Sequence, residues 1–258
     1  MTLLSLRDLT VSYQGSDRPA VDRVSLDVPK NSRLGVIGES GSGKSTLALA
    51  GAGILPRSAR VGGEIAWPGL GRSPVKGRDV GLVFQDPSSS LDPVLKVGEQ
   101  IAEVVRAHLG LSWSKAYRRA VELIDRMRLP DAARLSRTYP HELSGGQRQR
   151  IAIAAAIAAG PKLLIADEAT SALDTVVQAE IVRQLDELVR EDGMTLVFIS
   201  HDIALASQLV DRIAVFRDAR LVEIGTTEQV LRHPQSDYTR TLIDAHIGID
   251  APVGMIAG

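Results

Sequence analysis

With 258 residues, 44% of them hydrophobic, the chain suffices for one large α/β domain or two small ones. Leu, Ile, Val and Ala must build its core, because aromatics make up only 3%. A net charge of −1 with no strongly basic half excludes a visible footprint for duplex nucleic acid, and the absence of cysteine excludes disulfides, thiolate metal sites and cysteine-ligated iron–sulfur clusters.

The opening residues, MTLLSLRDLTVSY, lack the basic-then-apolar layout of a leader and alternate as a strand from Leu3 to Tyr13. Val21 to Val28 alternates again after a turn-rich stretch. RLGVIGESGSGKSTLALAGAGIL reads as strand, glycine loop and helix, and GGEIAW (Gly62 to Trp67) as a short strand. DVGLVFQDP (Asp79 to Pro87) is a buried strand ending in a polar turn. The pattern then changes to amphipathic helices over Val97 to Leu109 and Ser114 to Arg128. KLLIADE, TVVQAEIVRQLDELVRE and GMTLVFISHD restore the strand–helix alternation, with Gly193 where a helix C-terminal cap is expected. RIAVFRDARLVEIG is a hairpin, and TTEQVL opens a helix with a capping box of Thr226 and Gln229. The longest apolar run, Ile151 to Ala159, is cut by Gly160, Pro161 and Lys162, well short of the roughly 20 residues needed to span a bilayer. Any link to a membrane is therefore expected to run through a partner. The whole is an α/β core with a helical insert between about Asp86 and Gly160.

Gly38 to Ser45 satisfies G-x-x-x-x-G-K-S between a strand and a helix. Such glycines let backbone N–H groups wrap phosphates, Lys44 brings charge to the outer phosphates, and the Ser45 hydroxyl can ligate magnesium. Leu163 to Ala166 forms a buried parallel strand that ends in the carboxylates Asp167 and Glu168. Strand C-termini are where open α/β sheets bind ligands. Asp167 suits a metal ligand or a group that holds the metal's waters, and Glu168 suits polarising an attacking water. His201 and Gln85 end two further apolar strands, His201 to hold the γ-phosphate or the water, and Gln85 to reach metal and water. HELSGGQRQR (His141 to Arg150) is a second helix start suited to an anion, with Ser144 as N-cap and its glycines for a tight turn.

The phosphate loop, Gln85, LSGGQ (Leu143 to Gln147), LLIADE, SALD (Ser171 to Asp174) and His201 stand in the order and spacing of the ATP-binding cassette family, which the chain resembles from Tyr13 to about Gly225. The resemblance implies a P-loop ATPase core with a mostly parallel sheet, an N-terminal antiparallel β subdomain and an inserted α-helical subdomain. On that expectation residues 1–258 are a single ATPase domain. Residues 1–85 and 161–230 form the core with its β subdomain, 86–160 the helical signature subdomain and 231–258 a C-terminal extension. Tyr13 would stack on adenine, and Gly38, Ser40, Gly41, Ser42, Gly43, Lys44, Ser45 and Thr46 would hold ATP. Ser45, Gln85 and Asp167 would serve Mg2+. Glu168 would be the general base, assisted by Lys44, Gln85 and His201. Ser144, Gly145, Gly146 and Gln147 would complete the ATP site of a second chain, across an interface that includes Asp174.

FQDPSSSLDPVLKVGEQI (Phe84 to Ile101), ADEATSALDTVVQAEI and HPQSDYTRTLIDA (His233 to Ala245) resemble the dipeptide, oligopeptide and nickel importer subfamily. That narrower resemblance implies ATP hydrolysis coupled to import, with di- or oligopeptide as the first choice of cargo and nickel or a metal chelate as the second. A soluble ATPase of iron–sulfur assembly type is the remaining alternative. A second ATPase subunit, identical or different, would be a partner, together with two transmembrane permease subunits and, through the assembled transporter, a solute-binding protein. The chain would then sit at the cytoplasmic face of the plasma membrane. RDAR (Arg217 to Arg220) lacks the glycine often found at the hairpin turn, which leaves its turn type open.

Overall fold

The computed structural model describes residues 1–86, 90–170 and 173–247. The early elements are β1 (Thr2–Ser12), β2 (Val21–Pro29), β3 (Arg33–Ile37), α1 (Lys44–Ala52), β4 (Arg60–Ala66) and β5 (Val80–Val83). Next come α2 (Val97–Leu109), α3 (Trp113–Arg126), α4 (Ala132–Leu135), a 3-10 turn (Pro140–Glu142), α5 (Gly145–Ile157), β6 (Leu163–Asp167) and α6 (Thr175–Glu191). The chain continues through β7 (Thr195–Ser200), α7 (Ile203–Ser207), β8 (Arg212–Arg217), β9 (Arg220–Thr226), α8 (Thr227–Arg232) and α9 (Asp237–Ile247). No helix among the described residues is long and apolar enough to cross a membrane.

These elements fall into two compact units, Met1–Ser73 with Thr195–Gly258, and Pro74–Met194. In the first unit β1 pairs antiparallel with β2 and β4, which forms the expected antiparallel layer. Beside it β3 runs parallel to both β7 and β8, and β9 turns back antiparallel on β8. Every residue of β7, and Leu34 to Ile37 of β3, is buried. Continuous apolar strands of this kind are buried on both faces, as parallel sheets require. In the second unit β5 and β6 form a parallel pair, accompanied by α2 to α6.

Val97–Leu109 and Thr175–Glu191 have the expected bounds. Other elements differ at their ends, β4 for example running over Arg60–Ala66 instead of Gly62 to Trp67, and two of the differences have a visible cause. The buried strand expected within Asp79 to Pro87, before its polar turn, spans Val80–Val83, and Phe84, Gln85 and Asp86 after it are exposed and offer no second apolar face. The second amphipathic helix runs over Trp113–Arg126 because Ser112 takes the extended N-cap conformation, and Arg128 at φ 53 with Pro130 close behind ends it. The open question at the second hairpin is answered by Asp218 and Ala219, at φ 48 and 67, the two left-handed residues of a type I′ turn made without glycine.

Candidate functional site

The phosphate loop leaves β3 at Gly38, at the C-terminal edge of the sheet. Lys44 is buried, and its Nζ donates to the Gly38 carbonyl at 2.7 Å and the Glu39 carbonyl at 2.8 Å. The ammonium is thus held by the loop instead of reaching into solvent. Gly43 precedes α1 at φ 101 with no side-chain cap, and the first turn carries no acidic residue. With no side chain capping it, this helix start favours an anion. Two glycines are sterically required: a Cβ on Gly38 would stand 2.1 Å from the Phe216 carbonyl oxygen, and one on Gly43 would stand 2.2 Å from that of Ala20. Ser42 Oγ is buried without a hydrogen-bond partner among the described residues. A buried hydroxyl left unsatisfied inside a glycine loop fits a phosphate oxygen as its missing partner.

The surroundings in this unit brace the loop. Ala219 N donates to the Ser42 carbonyl at 3.2 Å, and its own carbonyl accepts from Asp22 N at 2.8 Å. Arg220 Nε donates to Asp22 at 2.7 Å, and this hydrogen bond holds the Asp22 carboxyl below its usual range. Tyr13 follows β1 half-buried, its hydroxyl 3.3 Å from Thr46 Oγ1. A cleft of about 670 Å3 lined by Ser16, Ala20, Gly41, Arg217 and Ala219 opens beside the loop. Ser40, Gly41 and Ser45 are exposed. His201 comes to the same edge, because Ile37 of β3 is in register with Ser200 of β7, so Gly38 and His201 begin adjacent strand exits.

The second unit repeats the arrangement with different chemistry. Val83 of β5 is in register with Ala166 of β6. Gln85 and Glu168 therefore each stand two residues past a registered pair, at one edge. Asp167 is buried at the strand end, whereas Gln85 is exposed and Glu168 half-buried. Glu168 adopts φ 44, a conformation that side chains other than glycine rarely take. Within this unit Gln85 and Asp167 offer an amide oxygen and a carboxylate, and in the first unit Ser45 offers a hydroxyl; each is by itself a hard oxygen donor of the kind Mg2+ accepts.

Ser144 caps α5: its Oγ accepts from Gln147 N at 3.3 Å, and Gln147 Oε1 accepts from Ser144 N at 2.9 Å. The Ser144 hydroxyl proton remains available to donate to an anion. The glycines do not make the expected tight turn. Gly145 and Gly146 are the first helical residues, and added Cβ atoms would stand 3.4 Å from Leu173 and 3.0 Å from Val177. Their smallness serves close approach to the start of α6. A cleft of about 460 Å3 touches Ser144, Gly146 and Gln147 together with Arg150, Val177 and Glu180. Arg150 and Glu180 pair at 2.7 Å. Asp174 has a role that its sequence motif did not announce: it caps α6, its Oδ1 accepting from Val177 N at 3.0 Å. An Asp immediately before the helical run was the available signal. Ser171 and Ala172 of SALD, Pro87 to Ser89 of the segment after Gln85, and the tail beyond Ile247 lie outside the described residues.

The sequence model of the ABC transporter family matches residues 21–171. A Brucella abortus ATP-binding protein named for peptide import is 43% identical over 96% of this chain and 78% of its own length. The metal-staphylopine import system ATP-binding protein CntD of Staphylococcus aureus is 38% identical over 94% of this chain and 93% of its own. Among solved structures, the ATP-binding cassette MJ0796, a dimer bound to ADP and phosphate in a post-hydrolysis state, superposes with a TM-score of 0.73 at 28% identity, over 87% of this chain and 98% of that one.

Proposed function

This chain belongs to the ABC transporter family and is a nucleotide-binding ATPase of a transporter, and on that premise we propose that the transport it drives is the import of di- or oligopeptides. The observation that carries the reading is the Lys44 ammonium seated in an uncapped glycine loop with an unsatisfied Ser42 hydroxyl beside it. The cargo rests on the likeness to a protein named for peptide import.

In the proposed mechanism Tyr13 stacks on adenine. The Gly38–Thr46 loop binds the phosphates through its amides, Lys44 and the hydroxyls of Ser40, Ser42, Ser45 and Thr46. Glu168 accepts a proton from the attacking water as its oxygen bonds to the γ-phosphorus, and the bond to the bridging oxygen breaks to leave ADP and phosphate. Gln85 and His201 orient water and γ-phosphate. Ser45, Gln85 and Asp167 would hold Mg2+, which supplies positive charge against the phosphate oxygens. Ser144, Gly145, Gly146 and Gln147 of a second ATPase subunit, identical or different, complete the site, with Asp174 at the shared interface. Residues 1–85 and 161–230 act as the catalytic core, 86–160 as the signature subdomain and 231–258 as an extension. Two permease subunits bring the chain to the cytoplasmic face of the plasma membrane and transmit the cycle to a solute-binding protein.

Reconstitution with the permeases and binding protein in proteoliposomes tests the cargo. Labelled tripeptide should accumulate in an ATP-dependent manner, and peptide-loaded binding protein should stimulate hydrolysis. Accumulation of a metal chelate with no peptide uptake would replace this reading by the second one, which the likeness to the metal-staphylopine importer favours.

A further inference from the structure

The C-terminal helix α9 has no role in the chemistry so far, yet two attachments tie it to the phosphate-loop unit. The first is at its N-terminus, where the Glu223 carboxylate of β9 accepts from Gln235 N at 2.9 Å and Ser236 N at 3.1 Å. The second is Tyr238. Its half-buried ring lies under the Arg217 guanidinium, 4.8 Å from the ring centroid, and its hydroxyl accepts from Glu39 N at 3.2 Å.

The Glu39 N–H belongs to the same peptide group as the Gly38 carbonyl, which accepts from Lys44 Nζ at 2.7 Å. One peptide at the mouth of the phosphate loop is therefore gripped from both ends, by the lysine that meets phosphate and by a tyrosine some 200 residues along the chain. We propose that Tyr238 is a positioning residue for nucleotide binding: by fixing the Gly38–Glu39 peptide it presets the loop and Lys44, so docking of α9 and loading of nucleotide reinforce each other. When Lys44 turns toward phosphate oxygens, the Tyr238 hydroxyl is the tether that stays on this peptide. Burial raises the Tyr238 phenol above its usual range, so it serves as a neutral hydroxyl throughout physiological pH. Linkage makes the effect reciprocal: whatever α9 contributes to nucleotide affinity, nucleotide returns to the docking of α9.

This inference rests on the nucleotide reading of the loop, and the experiment separates the two. Full-length wild type, Lys44→Ala and Tyr238→Phe are compared for binding of a fluorescent ATP analogue with Mg2+, for steady-state hydrolysis, and for hydrogen exchange across residues 235–247 with and without nucleotide. Tyr238→Phe keeps the ring under Arg217 and removes only the hydroxyl. Its Kd and KM should rise about three- to tenfold, the range of one lost hydrogen bond. Its kcat at saturating ATP should stay within about twofold of wild type. Nucleotide should slow exchange in α9 of wild type and do so less in the variant. Wild-type Kd in Tyr238→Phe, or wild-type exchange in α9 that ignores nucleotide, overturns the proposal. Failure of wild type to bind, or unchanged binding by Lys44→Ala, overturns the phosphate-loop reading instead. Should Tyr238→Phe fold poorly, the exchange response of wild type decides alone.

Discussion

Glu168 combines a side chain suited to proton transfer with a backbone at φ 44. Holding a non-glycine residue there costs on the order of 1 kcal/mol, and such strain gathers where a side chain must be aimed. Glu168→Gln keeps shape and strain while removing the base. Turnover should fall by about 100-fold or more, with ATP affinity and thermal stability unchanged. Phosphate release in single-turnover assays measures the first and analogue binding the second; a turnover near wild type removes Glu168 from the role of base. Individual residues were the most legible level of the sequence. The glycine loop, Lys44, Asp167 and Glu168 announce their chemistry by type and spacing. Tyr238 does not, because its contact with Glu39 joins parts of the chain far apart in sequence.

At the scale of elements, caps explain motifs that the sequence marks for chemistry. Asp174 caps α6, and Asn caps a helix as well as Asp does whereas Ala does not. Asp174→Ala should therefore lose about 1 kcal/mol of stability, and Asp174→Asn should lose almost none. If Asp174 also acts across an interface, the Asn variant should show impaired ATP-dependent dimers at native stability. Denaturation midpoints and sedimentation separate the two roles, and normal dimers in Asp174→Asn confine the residue to capping. The attachment of α9 has a pH signature. Burial pushes the Glu223 carboxyl up, but the Gln235 and Ser236 amides, the charge of Arg240 and the Thr239 hydroxyl, which lies nearby without a well-formed hydrogen bond, outweigh it and leave the group below its usual value. A depressed carboxyl stabilises fully above the ordinary value of 4.5 and loses that contribution as pH falls through its folded value. Acidification below about 4.5 should loosen the start of α9, seen as faster amide exchange at residues 235 and 236, and Glu223→Gln should abolish this acid response. Helix and strand positions followed from periodicity, since apolar spacing is set locally. Ends such as Val83 and Arg126 were less legible, because they depend on exposure and on single left-handed residues.

For the whole molecule, the question is why one chain carries two anion-ready helix starts. The two differ in kind: α1 has no side-chain cap, whereas α5 is closed by the reciprocal Ser144–Gln147 cap and presents the hydroxyl proton of an exposed Ser144 ahead of a half-buried first turn. Under the proposed function the first serves the chain's own ATP and the second that of a partner. Ser144→Arg should bind ATP as a monomer with wild-type affinity. In a Glu168→Gln background, which accumulates ATP-bound protein, it should fail to dimerise by light scattering. Dimers as abundant as those of Glu168→Gln alone would end the in-trans assignment.

Sequence alone determined the strand–loop–helix at Gly38, the carboxylates at the tip of β6, the alternation of strands and helices, and the resemblance to one family, because each is written in local spacing and residue type. Tertiary structure alone decided that Gly145 and Gly146 allow close approach to α6 instead of a turn. It also decided that the Asp218–Ala219 turn braces Ser42, and that Tyr238 reaches back to the phosphate loop. Those are contacts between residues distant in sequence, and no local pattern encodes which surfaces packing will bring together.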